Sequence, residues 1–396
     1  MLIPERAADA VVLLADPDAQ AANPYYWYRS RPAWEAVAEA LLRAPERRVA
    51  EAARSVRLDP ADLACHARLT AAVRAHLGSD HGKSSDAIRE AVERVHVEAR
   101  LGYHRGSELP RRVRLTDRPP PRVPAERRAV PDRPHVNVVI PFRDDCRDRG
   151  RLKNALACLA ALADQSLDAR RYSVTVVESD VEPRWRESIE PHVDEYLFAW
   201  HDGPFNKAWT VNIGAMRTVH PAPLICVLDA DALVDREFLA RNLARFDEPG
   251  VGSLTPLRSV LYLDAESSAW ALGRRCVDGS RSVPIEGTRG FLVYRSPGVC
   301  VWIRRGVFES IHGLDERYEG WGGEDMELLL RLTARSAFHQ FDDPQLHLHH
   351  RVEAGILDDY GNTPNCGLTA LTWEPTEPVG APDRYAARQE RLRRKG

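Results

Sequence analysis

Hydrophobic positions change their spacing twice along this chain. Up to about residue 109 they recur at helical intervals, as in Trp34-Val37-Ala38-Leu41-Leu42 and Ile88-Val92-Val95, and predict a helical region. From about residue 135 the pattern becomes short apolar runs separated by amphipathic stretches. Val136–Ile140 predicts a buried strand ending at Pro141. A helix with Leu152, Ala155, Leu156, Leu159 and Leu162 on one face follows, then a strand over Ser173–Val177. Phe205–Met216 reads as a helix and Leu224–Leu228 as another buried strand. Strands alternating with helices predict an α/β domain built on a mostly parallel sheet, over 135–352. Residues 110–134, with seven prolines and eight arginines, predict a stiff linker or surface strap. Residues 353–396 form a Pro- and Gly-punctuated extension ending in a basic helical piece, Arg384–Lys395, to which no chemistry is assigned.

Composition narrows the function classes. The 396 residues are 44% hydrophobic and 29% charged, with a formal net charge of -3. That balance suits a soluble globular protein and gives no footprint for nucleic acid or an anionic membrane. No apolar run approaches the ~20 residues of a membrane span, and Glu5, Arg6 and Asp16 interrupt any leader-like start. Seven scattered cysteines, never spaced C-x-x-C, read as reduced buried thiols, so a cytoplasmic location is expected.

Ligands of open α/β sheets bind beyond the carboxyl ends of the strands. Polar clusters fall at three such ends: Arg143-Asp144-Asp145, Glu178-Ser179-Asp180 and Asp229-Ala230-Asp231. In an extended segment Asp229 and Asp231 share a face, where two carboxylates repel unless a cation lies beside them. Oxygen ligands together with phosphate oxygens suit Mg²⁺ or Mn²⁺. In His347-Leu348-His349-His350, extended alternation puts His347 and His349 on one face, and an imidazole added to the carboxylate favours Mn²⁺; His347 is the first choice and His349 the second. Lys207, in Phe205-Asn206-Lys207-Ala208-Trp209, offers an ammonium that offsets diphosphate charge. Tyr318-Glu319-Gly320-Trp321-Gly322-Gly323-Glu324-Asp325-Met326-Glu327 sets an aromatic ring, flexible backbone and two adjacent carboxylates before an apolar helical run. Carboxylates at a helix start are favoured by the helix dipole.

Taken in order, Ile140-Pro141-Phe142-Arg143-Asp144, Phe205-Asn206-Lys207-Ala208, Asp229-Ala230-Asp231 and Trp321-Gly322-Gly323-Glu324-Asp325 resemble the metal-dependent, inverting glycosyltransferases of the GT-A fold. The likeness is to the group of β-1,4-galactosyltransferases, the galactosyltransferase C-terminal domain and chondroitin-type polymerases, and it covers roughly 135–352. It implies a GT-A fold and a nucleotide-sugar donor, with UDP-linked hexose or N-acetylhexosamine usual. Pro141, Phe142, Arg143, Asp145, Glu178, Phe205, Lys207, Asp229 and Ala230 would bind the donor. Trp321, Gly322 and Gly323 would bind the acceptor, a glycan, a lipid-linked sugar or a small natural product. Asp231 with His347 or His349 would hold the metal. Asp325 would be the general base and Glu324 a holder of sugar hydroxyls. Met326 stands where the family often has a third acidic residue, and the helical region 1–109 is outside the family's usual catalytic unit. A sugar nucleotidyltransferase would need a Gly-rich loop after the first strand, yet no glycine follows Pro141 until Gly150. A non-catalytic carbohydrate-binding protein would be expected to lack one of Asp229, Asp231 and Asp325.

Overall fold

The computed structural model describes residues 3–79, 82–109, 133–144, 149–350 and 356–394. The expected linker lies, but for its last two residues, outside them, as does Asp145. The described residues form two compact units. The first contains α1 (Ile3–Ala15), α2 (Pro17–Ala22), α3 (Pro24–Leu42), α4 (Arg47–Leu58), α5 (Leu63–Ser79), α6 (Lys83–Glu98) and β1 (Leu101–Arg105). Trp34, Val37, Leu41 and Ile88 are fully buried in it, so the helical spacing of these residues does mark a core. Asn23 caps α3 by accepting from the Tyr26 N–H at 3.0 Å. Trp27, in the aromatic-rich stretch Tyr25-Tyr26-Trp27-Tyr28 of α3, donates its indole N–H to the Leu13 carbonyl at 2.8 Å and so serves packing.

The second unit begins with β2 (Val136–Phe142), α7 (Gly150–Ala163), β3 (Tyr172–Asp180), α8 (Arg186–Ile189), β4 (Glu195–Trp200), α9 (Lys207–Arg217) and β5 (Leu224–Leu228). It continues through β6 (Ala232–Leu233), α10 (Phe238–Arg245), β7 (Ser253–Thr255), β8 (Ser259–Leu263) and α11 (Ala265–Leu272). The next strand, β9 (Arg289–Tyr294), returns to the first unit and pairs antiparallel with β1. The second unit then resumes with β10 (Cys300–Arg304), α12 (Arg305–Ser310), α13 (Glu324–Arg335), β11 (Phe338–Gln340) and β12 (Gln345–His347). It ends with the extension from Thr363, which carries α14 (Ala386–Arg393).

Seven strands make its main sheet in the order β11-β7-β10-β5-β2-β3-β4. The β5-β2-β3-β4 block is parallel, and β10 runs antiparallel to β5 and β7. The expected mixed α/β class is thus the one observed. Strand β2 does not stop at Pro141 but runs through it to Phe142. Its pairing with β5 covers only Val136–Val139, so beyond that point β2 has a single hydrogen-bonded neighbour and tolerates a residue without an N–H. A second small sheet pairs β8 with β12 in parallel and β12 with β6 antiparallel.

On one face of the main sheet, Val139, Ile225, Val227, Val301 and Ile303 pack against Ala208 and Val211 of α9 and Leu328 and Leu332 of α13. This layer brings the starts of both helices toward the carboxyl end of β5. The segment after α11 continues as a π-helical turn, Gly273–Val277, pinned by buried Arg275, which donates to Asp164 Oδ2 at 2.6 Å. All described cysteines are free; Cys65, Cys158, Cys226 and Cys300 are buried, whereas Cys366 sits exposed in a turn, against expectation. Among the described residues no helix is long and apolar enough to cross a membrane.

Candidate active site

The site is assembled from strand ends and helix starts of the second unit. After β5 the backbone does not stay extended. Asp229 donates its N–H to Val299 O at 2.9 Å, and a turn brings Ala232 N to Asp229 O at 3.1 Å. The two aspartates therefore face different partners instead of sharing a face, and a local turn replaces the expected alternation.

Asp229 faces α9. Lys207 Nζ lies 2.8 Å from Asp229 Oδ1 and 3.0 and 3.1 Å from the two carboxylate oxygens of Asp325. Burial alone would pull the ammonium's pKa down; Asp229, Asp325 and Glu324 together hold it well above the usual value. Burial raises the Asp229 carboxyl, an effect that Lys207 partly offsets. Asn206 places the lysine: its side chain caps α9 by accepting from Trp209 N at 2.8 Å.

Asp231 faces β12. Its carboxylate oxygens lie 3.1 Å from His347 Nε2 and 3.1 Å from His350 Nε2, and the three side chains converge tightly enough to ligate one ion. His347 is located by pairing with Ala232 of β6 and Tyr262 of β8, and its ring stacks on that of Tyr262 at 4.0 Å. His347 Nδ1 is 3.0 Å from the Leu348 carbonyl, which can only accept, so the ring proton belongs on Nδ1. Nε2 then turns a lone pair toward Asp231 Oδ1, a buried oxygen that accepts no hydrogen bond. Two lone pairs aimed at one point fit a cation between them, and one carboxylate with two imidazoles suits a divalent transition-metal ion. Burial would raise the Asp231 carboxyl, but in the metal-free chain the two imidazoles, when they carry a proton on Nε2, hold it well below its usual range.

His350, not His349, joins this cluster. Strand β12 ends at His347, so the period of two on which the His349 assignment rested stops there. His349 is held through its backbone, its N–H donating to Ser268 Oγ at 2.8 Å and its carbonyl accepting from Asn154 Nδ2 at 3.1 Å.

Asp325 and Glu324 occupy the first turn of α13. Leu328 and Leu332 bury the opposite side, and Arg331 locks the helix by pairing with Glu327 and donating to the Ile311 and Gly313 carbonyls at 2.6 and 2.7 Å. Gly322 and Gly323 have φ of 94° and 102°, and a Cβ would meet Thr363 at 2.8 Å or Tyr318 at 2.7 Å. Their glycine character thus serves the loop's own fold, while Trp321 remains 37% exposed and free to meet a ligand. Gly298 was not expected in this role: any Cβ there would overlap the Asp325 carboxylate. Glu324 is pushed up to about 7, chiefly by burial and then by the charge of Asp325.

The remaining expected donor residues lie along the strand ends. Pro141 and Phe142 are buried within β2. Arg143 donates to Gly203 O at 2.7 Å and comes within 3.8 Å of Asp180. Glu178 is fully buried and accepts from the Tyr196 hydroxyl and the Trp185 N–H, so it is already committed to internal partners. Phe205 is half-buried and its carbonyl accepts from Gly320 N at 2.9 Å, and Ala230 is half-buried in the turn between the two aspartates.

Residues 293–348, which include Trp321–Asp325, His347 and Gly298, match the family described as the N-terminal domain of galactosyltransferase. A stretch of 220 residues is 30% identical to the O-antigen biosynthesis protein RfbC of Myxococcus xanthus, covering 51% of this chain but only 16% of that protein. Solved structures similar to this chain include a mannosyltransferase from Pyrobaculum calidifontis in complex with GDP-Man and Mn²⁺ (17% identity, TM-score 0.37, 61% of this chain and 63% of that one). A Drosophila β1,4-galactosyltransferase 7 variant in complex with manganese, UDP-Gal and xylobiose is also similar (17% identity, TM-score 0.33, 54% and 71%). The family match bears out the resemblance to GT-A glycosyltransferases read from the motifs.

Two predictions follow from the geometry. Gly298→Ala forces the Asp325 carboxylate to move while leaving the core intact. Turnover should fall about 100-fold with the thermal midpoint little changed, as measured by steady-state kinetics and calorimetry. Glu324 carries a proton in the folded chain between its unfolded value near 4.5 and its folded value of about 7. The native state binds more protons across that window, so its stability falls as pH rises through it. Metal-free Glu324→Gln should show a shallower loss of thermal midpoint between pH 5 and 7 than the unmodified chain.

Proposed function

We propose that this chain is an inverting glycosyltransferase that moves a hexose or N-acetylhexosamine from a nucleotide diphosphate sugar, UDP-linked, to an acceptor hydroxyl. The observation that carries this reading is the pairing of a compact carboxylate-imidazole cluster, Asp231-His347-His350, with a separate carboxylate, Asp325, linked to it through Lys207 and Asp229. One half suits a cation and a diphosphate; the other suits a proton acceptor beside a sugar hydroxyl. The match of residues 293–348 to a galactosyltransferase family supports the same chemistry and favours a hexose.

A bound divalent ion would supply Lewis-acid neutralisation of the departing diphosphate. Asp231, His347 and His350 are the side chains that would hold it. Lys207 adds a second positive charge facing the same space, and Arg143 lies at the end of β2 on the donor side. Asp325 accepts the proton of the acceptor hydroxyl as that oxygen attacks the anomeric carbon. The bond from that carbon to the diphosphate oxygen breaks on the opposite face, so configuration inverts. A positioned base of this kind contributes about 10²–10⁴-fold. Glu324, partly protonated near neutral pH, can in that form donate a hydrogen bond to a sugar hydroxyl, and Trp321 offers an exposed flat face for a sugar ring. The acceptor class is a glycan, a lipid-linked sugar or a small natural product.

A screen of nucleotide sugars with Mn²⁺, read by release of nucleoside diphosphate, should single out one donor. Asp325→Asn should then lose about 10²-fold or more in transfer, with nucleotide affinity held within a few fold; retained turnover would remove Asp325 as the base. His347→Ala and His350→Ala should each weaken Mn²⁺ binding by at least about tenfold in direct titration. His349→Ala should leave that binding unchanged, and the opposite ranking would restore His349 to the metal site.

A further inference from the structure

The C-terminal extension carried no expected chemistry, yet residues 379–388 lie against both motifs that frame the site. Gly380 donates its N–H to Glu316 Oε1 at 2.7 Å, and the Trp209 indole donates to Ala381 O at 2.9 Å. Arg384 pairs with Glu316 Oε2 at 2.8 Å. These contacts deliver Tyr385 to a fixed place, its ring 4.1 Å from His201 and edge-on to Trp209 at 4.9 Å.

The hydroxyl of Tyr385 joins two segments. It accepts from Asn206 Nδ2 at 3.2 Å and donates to Glu319 Oε1 at 2.7 Å. Asn206 immediately precedes Lys207 and caps its helix. Glu319 lies in the glycine-rich segment that leads to Trp321 and Asp325. One side-chain oxygen from the extension therefore connects the segment carrying the ammonium with the segment carrying the proposed base. The backbone bond from Gly320 N to Phe205 O runs beside it at 2.9 Å. Lys207 and Asp325 meet at 3.0 Å, so a shift of either segment changes that contact directly.

We propose that Tyr385 is a positioning residue that sets the register between the Asn206-Lys207 helix start and the Glu319–Asp325 loop, and through it the placement of Asp325 against the acceptor hydroxyl. The assignment rests on the transfer reading given above for its kinetic consequence, but not for the link itself.

Tyr385→Phe keeps both ring contacts and removes only the hydroxyl. In the 396-residue chain it should lower kcat about 10- to 100-fold, as expected for sub-ångström misplacement of a reacting group, with donor KM changed by less than about threefold. A residue that merely supported the fold would move the thermal midpoint and leave the kcat-to-KM split alone. Glu319→Ala cuts the same link from its other end and should match it. The double variant should be no slower than the worse single one, because coupled partners are not additive. Backbone hydrogen exchange should rise together at 206–210 and 318–325 in both single variants. Turnover within twofold of the unmodified chain, or additive losses in the double variant, would overturn the proposal. Should Tyr385→Phe fail to fold, Glu319→Ala decides alone by the same measures. If the unmodified chain transfers from no nucleotide sugar, the function reading fails, and exchange unchanged at both segments would still separately refute the link.

Discussion

The contact between Lys207 and the carboxylates of Asp229 and Asp325 is the constraint on which this site depends. Asp229 ends a strand and Asp325 starts a helix, and nothing in either element would bring two acidic groups together. Like charges separated by a few ångströms repel by on the order of 4 kcal/mol at the effective screening of a protein surface. The ammonium reverses the sign of that interaction. The arrangement has its own cost, since a lysine in the first turn of a helix faces the positive end of the helix dipole. Two carboxylates within hydrogen-bond distance outweigh that penalty, and burial makes the exchange stronger by excluding water.

The sheet explains why these groups meet where they do. Parallel β5, β2, β3 and β4 send their carboxyl ends to one edge, and α9 and α13 pack on the same face through Ala208, Val211, Leu328 and Leu332. Fixing those apolar contacts fixes the direction of both helix starts. The small β8-β12-β6 sheet then carries His347 to Asp231 through a register of only two residue pairs between β12 and β6. Tyr262, its ring stacked on the imidazole, restrains the remaining rotation of His347.

What was legible in the sequence was what lies close along the chain. Five consecutive apolar residues bounded β5 correctly at Leu224 and Leu228, and Trp321–Asp325 declared a loop with carboxylates at a helix start. Alternation failed where the strand stopped. It paired Asp229 with Asp231 and His347 with His349, and in each case a turn or a strand end redirects the side chains. Pro141 misled for a related reason, because its effect on β2 depends on how far β5 extends beside it. Gly298 and Tyr385 could not be read at all. Their meaning lies in contacts with Asp325 and with Asn206, the latter 179 residues away, and a lone glycine or tyrosine carries no local mark of such a partner.

Charge accounting around the cluster leads one step further. Asp229, Asp231 and Asp325 bring three carboxylates to a space that holds one ammonium, while His347 keeps its ring proton on the nitrogen turned away from Asp231. Glu324 would add another negative charge, but burial and Asp325 raise it to about 7, so near neutral pH it contributes only part of one. The ligand-free site is therefore more negative than positive. A nucleotide diphosphate is itself an anion and would be repelled from such a space. Lys207 cannot offset it alone, because its charge is already shared between two aspartates. Admission of a diphosphate thus calls for further positive charge, and the Asp231 carboxylate, with its orphaned Oδ1 beside His347 and its Oδ2 beside His350, is where the structure leaves room to hold it.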